Sequence, residues 1–368
     1  MKIWHIYYGT RGVAGAYIDA LQKAMCSLGI VSRAFVSQGY LFKTAGIIKI
    51  FFPFTDGFEY FGPGRRLLRA IELTFGYTCI CLFCAILRPA VNLSLTDDYK
   101  VTWWFFCLCK WFGLKVYLTC HDIHAHDGSL CPSRVDMMKR ADYVIFHNEH
   151  ARQKFLTLVS RPIDRAIVVP FPCSNYDSIL SPKRAAEAEL YWNARLNGIP
   201  CICFLGVVRR SKGIELLIRA WRDLKDRRGF RLVIAGKWDE SELLKKQAEE
   251  LPDCEFEDRY LKDEEFVYLI KKAKCVVMPY LKYTHSAVLV SVLKHGGMVL
   301  VSDEGLFQEY LGKYELMFSS GDLGGLTETM ERAMRMDEKN CMLLKQQLAH
   351  LVANEDQKLK DELECAFK

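Results

Sequence analysis

Short runs of consecutive apolar residues alternate along the chain with longer segments in which apolar residues recur every three or four positions. The short runs predict buried parallel strands, and the longer segments predict helices that cover them. In the first half, the predicted strands are residues 2–8, 30–36, 91–95, 115–119, 143–146 and 166–170. In the second half, they are residues 199–206, 231–236, 254–257, 275–280 and 298–302. The restart of the alternation predicts two successive doubly wound α/β units.

A charged stretch separates the two predicted units. Residues 172–198 contain Pro172, Pro182 and the helical pattern KRAAEAELYWNARLNG, so we place the domain boundary there. At 368 residues, the chain also exceeds the length that one hydrophobic core usually supports. The predicted organisation is an N-terminal domain over 1–185, a C-terminal domain over 186–345, and a helix over 346–368 that packs back on the N-terminal domain.

Two stretches of the first half are unusually apolar and aromatic. Residues 67–88 approach the length of a membrane-spanning helix, but Arg69 and Glu72 leave an apolar core of about fifteen residues, short of the ~20 needed. We therefore predict a buried helix there. Residues 41–54 are either part of a surface loop or a peripheral patch that docks on lipid. The patch would consist of Leu41, Phe42, Ile47, Ile48, Phe51 and Phe52 with Lys43 and Lys49.

Composition and charge narrow the function classes. The chain is 51% hydrophobic and 26% charged, which is typical of a folded globular protein. Its formal net charge of +6 is small for this length and comes without long Lys/Arg blocks, which argues against nucleic-acid binding. A membrane surface or an anionic small substrate fits this charge better.

The 15 cysteines do not indicate a disulfide scaffold. Many lie inside apolar runs, where a thiol acts as a small buried hydrophobe. These are Cys79, Cys81, Cys84, Cys107, Cys109, Cys201 and Cys203. The opening MKIWHIYYGTRG has no apolar signal-peptide core. We therefore expect a reduced, cytoplasmic protein, and the patch at residues 41–54 would place it on the inner face of the membrane.

The first candidate for chemistry is a basic loop in the second unit. Open α/β sheets bind ligands at the carboxyl ends of their strands. The segment FLGVVRRSKG ends a strand at Gly206 and reaches a helix through Arg209 and Lys212. Basic side chains beside the free N–H groups of a helix start are suited to a diphosphate. The alternative is a solvated basic turn.

The second candidate is the segment 278–305 in the same unit. Thr284, His285 and Ser286 lie at a predicted helix start, where hydroxyl groups and the helix dipole favour a phosphate. The alternative is that Thr284 or Ser286 is only an N-cap. The acidic turn Asp303–Glu304 follows the next strand.

Taken together, these segments resemble the donor domain of the large retaining glycosyltransferase family commonly numbered four, or glycosyl transferases group 1. The resemblance covers residues 201–311 and is nearest to the branch that assembles bacterial polysaccharides. It implies the GT-B fold, in which two Rossmann-like domains face a cleft. It further implies a UDP- or GDP-sugar donor, a glycan or lipid-linked acceptor, retention of anomeric configuration, and no metal or other cofactor.

Family resemblance also suggests roles for individual residues. Arg209 and Lys212 would act in catalysis by neutralising the leaving diphosphate. The donor would be bound by Gly206, Arg209, Lys212, Thr284, His285 and Ser286. The best-known family signature has two glutamates, for which this chain has Tyr283 and Ser291, so the carboxylate that usually holds the ribose is missing. Asp303 or Glu304 would substitute as polar donor contacts.

A third candidate follows a strand of the first unit. The segment VYLTCHDIHAHDGS places His121 and Asp122 at the strand end, with His126 close behind. Clustered titratable groups invite a metal-site interpretation, but a GT-B cleft needs no metal and the chain contains no D-x-D pair, so we expect none. The resemblance implies that His121 and Asp122 face the transferred sugar as catalytic residues, with His126 on the acceptor or sugar side.

A fourth candidate is the GTRGVAG loop at the start of the first helix. It is a poor dinucleotide fingerprint, because its glycines are three apart and no acidic residue ends the second strand. The resemblance suggests instead that Gly12 and Gly15 let the backbone approach the donor phosphates or the acceptor. A plain tight turn explains the glycines equally well.

The resemblance thus implies a metal-independent retaining hexosyltransferase acting in cell-surface polysaccharide assembly. Two alternatives stay open: a GT-B protein that has lost catalysis and serves as a binding or scaffold protein, and a nucleotide-sugar epimerase. Loss of both signature glutamates favours the scaffold, whereas Arg209, Lys212 and the His121–Asp122 pair argue against it.

Overall fold

The computed structural model describes residues 2–9, 14–56, 62–95, 100–121, 132–159, 165–281 and 286–367. Two compact units are present. Unit 1 comprises Met1–Ser174 with Glu355–Lys368, and unit 2 comprises Asn175–Asn354.

Unit 1 contains a seven-stranded parallel sheet with the order β3-β2-β1-β4-β5-β6-β7. Its strands are β1 (Lys2–Ile6), β2 (Val31–Ser37), β3 (Ile47–Phe51), β4 (Ala90–Leu95), β5 (Val116–Cys120), β6 (Tyr143–Phe146) and β7 (Ala166–Val168). Its helices are α1 (Ala14–Ser27), α2 (Pro63–Leu87), α3 (Lys100–Trp111), α4 (Pro132–Arg140) and α5 (Glu149–Val159). The strand order reverses direction after β3, so right-handed crossovers place α1 on one face and α2 to α5 on the other.

Unit 2 contains a six-stranded parallel sheet with the order β10-β9-β8-β11-β12-β13. Its strands are β8 (Cys201–Leu205), β9 (Arg231–Ala235), β10 (Cys254–Glu257), β11 (Val276–Met278), β12 (Val299–Ser302) and β13 (Met317–Phe318). Its helices are α6 (Pro182–Leu196), α7 (Ile214–Asp223), α8 (Glu242–Glu249), α9 (Asp263–Lys272), α10 (Ala287–Lys294), α11 (Gly305–Leu311), α12 (Leu323–Arg335) and the first part of α13 (Glu338–Phe367). The predicted class, two doubly wound parallel α/β units, is confirmed.

The division between the units falls after Ser174, within the predicted boundary stretch 172–198 and before residue 185, where the predicted N-terminal domain ends. The reason is α6, whose start is tied to unit 2. The backbone N–H of Ser181 donates to Glu264 at 3.0 Å, and Arg184 pairs with the same carboxylate at 3.1 Å. At the other end of the chain, α13 carries residues of both units, and the Tyr117 hydroxyl in unit 1 donates to the Ala366 carbonyl at 3.3 Å.

Residues 41–54 combine irregular segments with a strand, which the sequence analysis did not predict, and they do not form the expected lipid-docking patch. The segment supplies β3, an edge strand that pairs parallel with β2. Phe42 is 5% exposed, and Phe51 and Phe52 are fully buried in the core of unit 1. Three of the six apolar side chains assigned to the patch therefore lie inside the fold, where no bilayer can reach them.

The described cysteines are all free thiols, and most of them are shielded from solvent. Burial raises the pKa of the Cys84, Cys254 and Cys275 thiols to about 12, so these groups are protonated at neutral pH. They behave as small apolar residues of the two cores, as their positions in the sequence indicated.

Helix α2 is anchored to the sheet through a glycine contact that can be tested. A Cβ added at Gly76 would lie 2.7 Å from the ring of Phe51, which is fully buried and cannot move aside. We expect Gly76→Ala to destabilise unit 1 by about 1–3 kcal/mol through overpacking. The control is Gly64→Ala in the same helix, where a Cβ meets nothing within 4 Å and stability should hold or rise. Denaturant midpoints measure both, and equal effects would contradict the contact.

Candidate functional site

The structure brings together the two segments of unit 2 that the sequence singled out. The loop after β8 and the segment after β11 lie side by side at the carboxyl edge of the sheet. The backbone N–H of Leu281 donates to the Ser211 carbonyl at 2.9 Å, which joins the two segments directly. Residues 282–285, and with them Thr284, His285 and Tyr283, lie outside the described residues.

Glycines set how closely these backbones approach. Gly213 has a φ of +69°, and a Cβ there would overlap the carbonyl oxygen of Pro279. A Cβ on Gly236 would likewise overlap the carbonyl of Gly206. Glycine is required at both positions because no side chain fits between the two main chains. The loops that follow β8, β9 and β11 are therefore locked together at this edge.

Lys212 lies inside this arrangement and is only 6% exposed. It ends a 3₁₀ turn, Arg210–Lys212, that leads into α7. Its ammonium nitrogen is 5.5 Å from the centre of the Tyr280 ring and would be 3.6 Å from a Cβ on Gly206. The loop thus carries a positive charge, largely shielded from solvent, to the end of β8, where a low dielectric strengthens its attraction for an anion.

Arg209 lies at the rim of the same loop, with 25% of its side chain exposed. Its Nε donates to an oxygen of Asp239 at 2.8 Å. Asp239 follows β9, and its own backbone N–H donates to Val208 at 3.0 Å. Sequence reasoning missed this carboxylate, which orients the guanidinium. No motif marks it, because the pair forms only when the β8 and β9 loops meet.

The N-terminus of α10 also points into this edge. Ser286 caps the helix, since its hydroxyl oxygen accepts from the backbone N–H of Leu289 at 3.2 Å. Val288 in the first turn would lie 3.4 Å from a Cβ on Gly206. The positive end of the helix dipole therefore lies next to Gly206 and near the Lys212 ammonium. Ser286 is therefore an N-cap, and its hydroxyl proton is still able to donate to a ligand.

The acidic turn after β12, Asp303–Glu304, forms hydrogen bonds that hold neighbouring strand ends together. One oxygen of Asp303 accepts from the backbone N–H of Ser320 at 2.7 Å. The hydroxyls of Ser302 and Ser320 both donate to the Tyr280 carbonyl, at 2.7 Å and 3.1 Å. These bonds tie the ends of β11, β12 and β13 together. Glu304 follows as the residue before α11.

Ser291, which stands in place of a signature glutamate, is fully buried on the inner side of α10. Its hydroxyl lies 3.4 Å from that of Tyr176, and its carbonyl lies 2.7 Å from Nδ1 of His295. The other ring nitrogen of His295 accepts from the Tyr176 N–H at 3.0 Å. Burial lowers the pKa of His295, so the ring is neutral and can accept this bond. A small residue at position 291 leaves room for the Tyr176 ring.

Unit 1 contains a separate cluster of rings at the carboxyl ends of its strands. His121 directly follows β5, and its ring centre lies 4.9 Å from that of Tyr17 on α1 and 5.0 Å from that of His147 after β6. Phe171 packs against His147 at 5.0 Å. The structure thus places His121 at a ligand-binding edge of a parallel sheet, where the sequence put it. Asp122 and His126 lie outside the described residues.

The rings around His121 are uncharged at neutral pH. Burial lowers the pKa of His147 to about 4, although a hydrogen bond between its Nδ1 and the Val169 carbonyl at 3.0 Å opposes the shift. Burial raises the pKa of Tyr17 to about 12, against hydrogen bonds from Thr119 and Ser94. The surroundings of His121 are therefore neutral and aromatic, in contrast to the cationic edge of unit 2.

Sequence reasoning missed Tyr17 and His147. The signal for His147 was present, because the pair His147–Asn148 directly follows the strand run YVIF, as His121–Asp122 follows its own strand. Tyr17 lies within a helix and carried no such signal, because only the packing of α1 on the sheet brings it to this edge.

The glycine loop before α1 is only partly described. Gly12 lies outside the described residues. Gly15 falls in the first turn of α1, and a Cβ there would lie 3.1 Å from the Phe42 ring. Packing against this buried ring is a sufficient reason for a glycine at position 15.

Over the described parts of the chain, no group of three or more His, Cys, Asp or Glu side chains is placed to hold a metal ion. His124 and His126, which prompted the metal interpretation, are not among those parts.

Comparison with known families places the cationic edge in a recognised domain. The family described as "Glycosyl transferases group 1" matches residues 193–348, which is less than half of the chain and lies within unit 2. No curated protein matches the chain by sequence at a significant level.

Solved structures resemble the whole chain. A glycosyltransferase from Rickettsia africae is 13% identical, with a TM-score of 0.68, over 99% of this chain and 97% of that one. Anabaena HepE, in complex with UDP and glucose, is 13% identical with a TM-score of 0.66 over 99% and 100% of the two chains. A UDP-forming trehalose-phosphate synthase from Burkholderia vietnamiensis is 14% identical, with a TM-score of 0.66, over 100% and 99%. At these identities the likeness establishes the fold, and the predicted GT-B architecture is confirmed.

The glycine contact at the cationic edge yields a paired test. Gly213 and Gly198 share a left-handed φ, +69° and +74°, but only Gly213 faces another main chain, whereas nothing lies within 4 Å of a Cβ at Gly198. We expect Gly198→Ala to cost about 1–2 kcal/mol for the backbone conformation alone. Gly213→Ala should cost at least ~2 kcal/mol more, because the Pro279 carbonyl must move. Equal losses in denaturant unfolding would show that the two loops are not locked together.

The neutral state of His147 predicts a pH dependence of stability. Its pKa is about 4 in the folded chain and about 6.5 when exposed, so the unfolded state takes up the proton first as pH falls. The free energy of unfolding should therefore decrease as pH falls through the window from about 6.5 to 4. His147→Gln, which cannot take up this proton, should flatten that part of the profile. An unchanged slope in the variant would refute a buried neutral His147.

Proposed function

From the match of residues 193–348 to the glycosyl transferases group 1 family and from the GT-B fold, we propose that the chain transfers a sugar from a nucleotide-diphosphate sugar to an acceptor hydroxyl. The observation that carries the proposal is the cationic edge of unit 2. There, Lys212, the N-terminus of α10 and the glycine-locked loops meet at one point. A buried ammonium beside a helix N-terminus is suited to the diphosphate of the donor.

The role of Arg209 follows from its contact with Asp239. The carboxylate holds the guanidinium through Nε, the nitrogen nearest the chain, at 2.8 Å. This geometry fixes the plane of the guanidinium while the side chain stays 25% exposed at the rim. Arg209 then binds the outer oxygens of the diphosphate, and Lys212 binds from within the loop.

We propose retention of configuration by front-face attack. The acceptor oxygen forms the new bond to the anomeric carbon as the bond to the diphosphate breaks, and the departing diphosphate oxygen takes the acceptor proton. Charge develops on the leaving group, where Lys212, Arg209 and the α10 dipole stabilise it without reorganising. The chain then contributes mainly positioning and electrostatics. His121, with its neutral surroundings, serves the sugar and acceptor side as a hydrogen-bonding group.

The acceptor is proposed to be a glycan or a lipid-linked glycan of a cell-surface polysaccharide. UDP is the first donor nucleotide to test, because proteins of the same fold include one bound to UDP with glucose and one that forms UDP. The residues that hold the ribose differ from the family pattern, since Ser291 is buried against Tyr176. Ribose contacts therefore come from other groups, and Glu304 at the start of α11 is the proposed substitute.

The test combines binding with turnover. We expect UDP or GDP to raise the melting temperature of the full chain, because a ligand that binds only the folded state stabilises it. Lys212→Ala and Arg209→Ala should weaken that shift and lower sugar transfer by about 100-fold or more, as expected for lost transition-state charge stabilisation. The matched control is Arg219→Ala, which removes an exposed positive charge from α7 in the same unit and should leave both readouts unchanged.

The outcomes separate the alternatives. Nucleotide binding without transfer or epimerisation would identify a binding or scaffold protein. Conversion of the donor sugar without any acceptor would identify an epimerase. Normal transfer in both variants would remove Lys212 and Arg209 from the mechanism.

A further inference from the structure

Helix α2 exposes an apolar surface on the side that faces away from the sheet. Six of its large apolar side chains are more than half exposed. They are Leu67, Ile71, Phe75, Leu82, Phe83 and Ile86. The outward face of a helix in a soluble domain is normally polar. An apolar outward face therefore indicates a surface that contacts a lipid layer or another molecule.

The neighbouring helix α3 continues this surface. Trp104 and Trp111 are 62% and 79% exposed, and Leu108 lies between them at the spacing of one helix face. Tryptophan combines a large apolar ring with a polar N–H and is enriched where membranes meet water. We call the outward side chains of α2 and α3 together the α2–α3 face.

The exposed charges of these two helices are all positive. Their basic residues include Arg65, Arg66 and Lys100, and their single acidic residue is Glu72. Glu72 is turned inward, where its carboxylate accepts from the backbone N–H of Phe54 at 2.7 Å. The helices therefore present apolar and basic groups and no exposed carboxylate of their own.

The nearest acidic residues of the following helix and loop are neutralised. Asp136 accepts from Trp103 Nε1 at 2.9 Å and from Arg140 at 3.0 Å. Asp142 is paired with Lys110 at 2.8 Å. An apolar surface with basic groups and paired carboxylates is complementary to anionic lipid headgroups above an apolar layer.

Hydroxyl groups on the same face are satisfied within the helix. Thr74 donates to the Ala70 carbonyl at 2.7 Å, and Thr78 donates to the Thr74 carbonyl at 2.8 Å. The hydroxyl groups of these exposed threonines therefore do not need water as a hydrogen-bond acceptor. Moving this face into an apolar layer leaves neither donor unsatisfied, so the free-energy cost is low.

A membrane span is excluded by the other side of α2. Residues Gly64–Leu87 are long and apolar enough to cross a bilayer, which alone is weak evidence. However, Leu73, Tyr77, Ile80 and Cys84 are at most 4% exposed in the core of unit 1. Spanning would pull this entire face out of the core, whereas docking leaves it in place.

We propose that the α2–α3 face docks on the surface of an anionic phospholipid bilayer, with α2 and α3 lying in the interface. The proposal replaces the membrane contact expected at residues 41–54, and it does not depend on the transfer reaction. A second copy of the chain is a poorer occupant, because it would bring two sets of basic residues together.

The test measures binding of the full chain to vesicles in the absence of any substrate. We expect flotation with vesicles of phosphatidylcholine and phosphatidylglycerol, weaker flotation with phosphatidylcholine alone, and a loss of binding as salt is raised. Phe83→Ser with Ile86→Ser should lower the partition coefficient at least ~tenfold, because two apolar side chains no longer enter the bilayer. Trp104→Ser with Trp111→Ser, on the other helix, should do the same.

Matched controls are available elsewhere on the surface. Leu243→Ser on α8 and Val31→Ser on β2 alter apolar side chains that are 72% and 59% exposed but lie outside this face, and both should bind as wild type. Arg66→Gln with Lys100→Gln should lower binding to the anionic vesicles only. Melting temperatures confirm that each variant is folded.

Three results would overturn the proposal. One is the absence of binding to anionic vesicles, and another is an equal loss of binding in the control variants. The third is a dimer in sedimentation velocity, without vesicles, that the α2–α3 variants dissociate, since that would make a second copy the occupant.

Discussion

The cationic edge of unit 2 depends on one steric constraint, the contact between main chains at Gly206, Gly213 and Gly236. At Gly213 and Gly236 a Cβ would overlap a carbonyl oxygen of the neighbouring loop, so the loops after β8, β9 and β11 approach as closely as backbones can. This close approach also determines where Lys212 points, because the 3₁₀ turn that carries it is held between two glycine contacts.

Much of the fold could be predicted because each buried parallel strand is recognisable from a short stretch of neighbouring residues in the sequence. Their apolar runs are continuous, and eleven of the thirteen strands in the described residues follow from them. The two that were missed have physical reasons. β3 is an edge strand within an aromatic stretch whose length and composition also fit a surface patch, and only its pairing with β2 distinguishes the two. β13 has two residues, too few for any pattern.

The site was less predictable because its partners come from distant parts of the chain. Arg209 was visible as a basic residue after a strand, but Asp239, which orients it, is thirty positions away and belongs to no motif. His121 was visible at a strand end, but Tyr17 reaches it only through the packing of α1. Sequence patterns thus located the groups that carry charge or a titratable ring. They did not reveal the groups that hold them in place.

The strand ends of the two units differ in charge, and the proposed reaction accounts for this difference. Unit 2 concentrates positive charge at its strand ends, with Lys212, Arg209 and the start of α10, as the proposed departure of a diphosphate requires. Unit 1 surrounds His121 with neutral rings, since burial keeps His147 uncharged and Tyr17 protonated. A neutral, well-packed support of this kind holds the His121 ring in one orientation, which the role proposed for it requires.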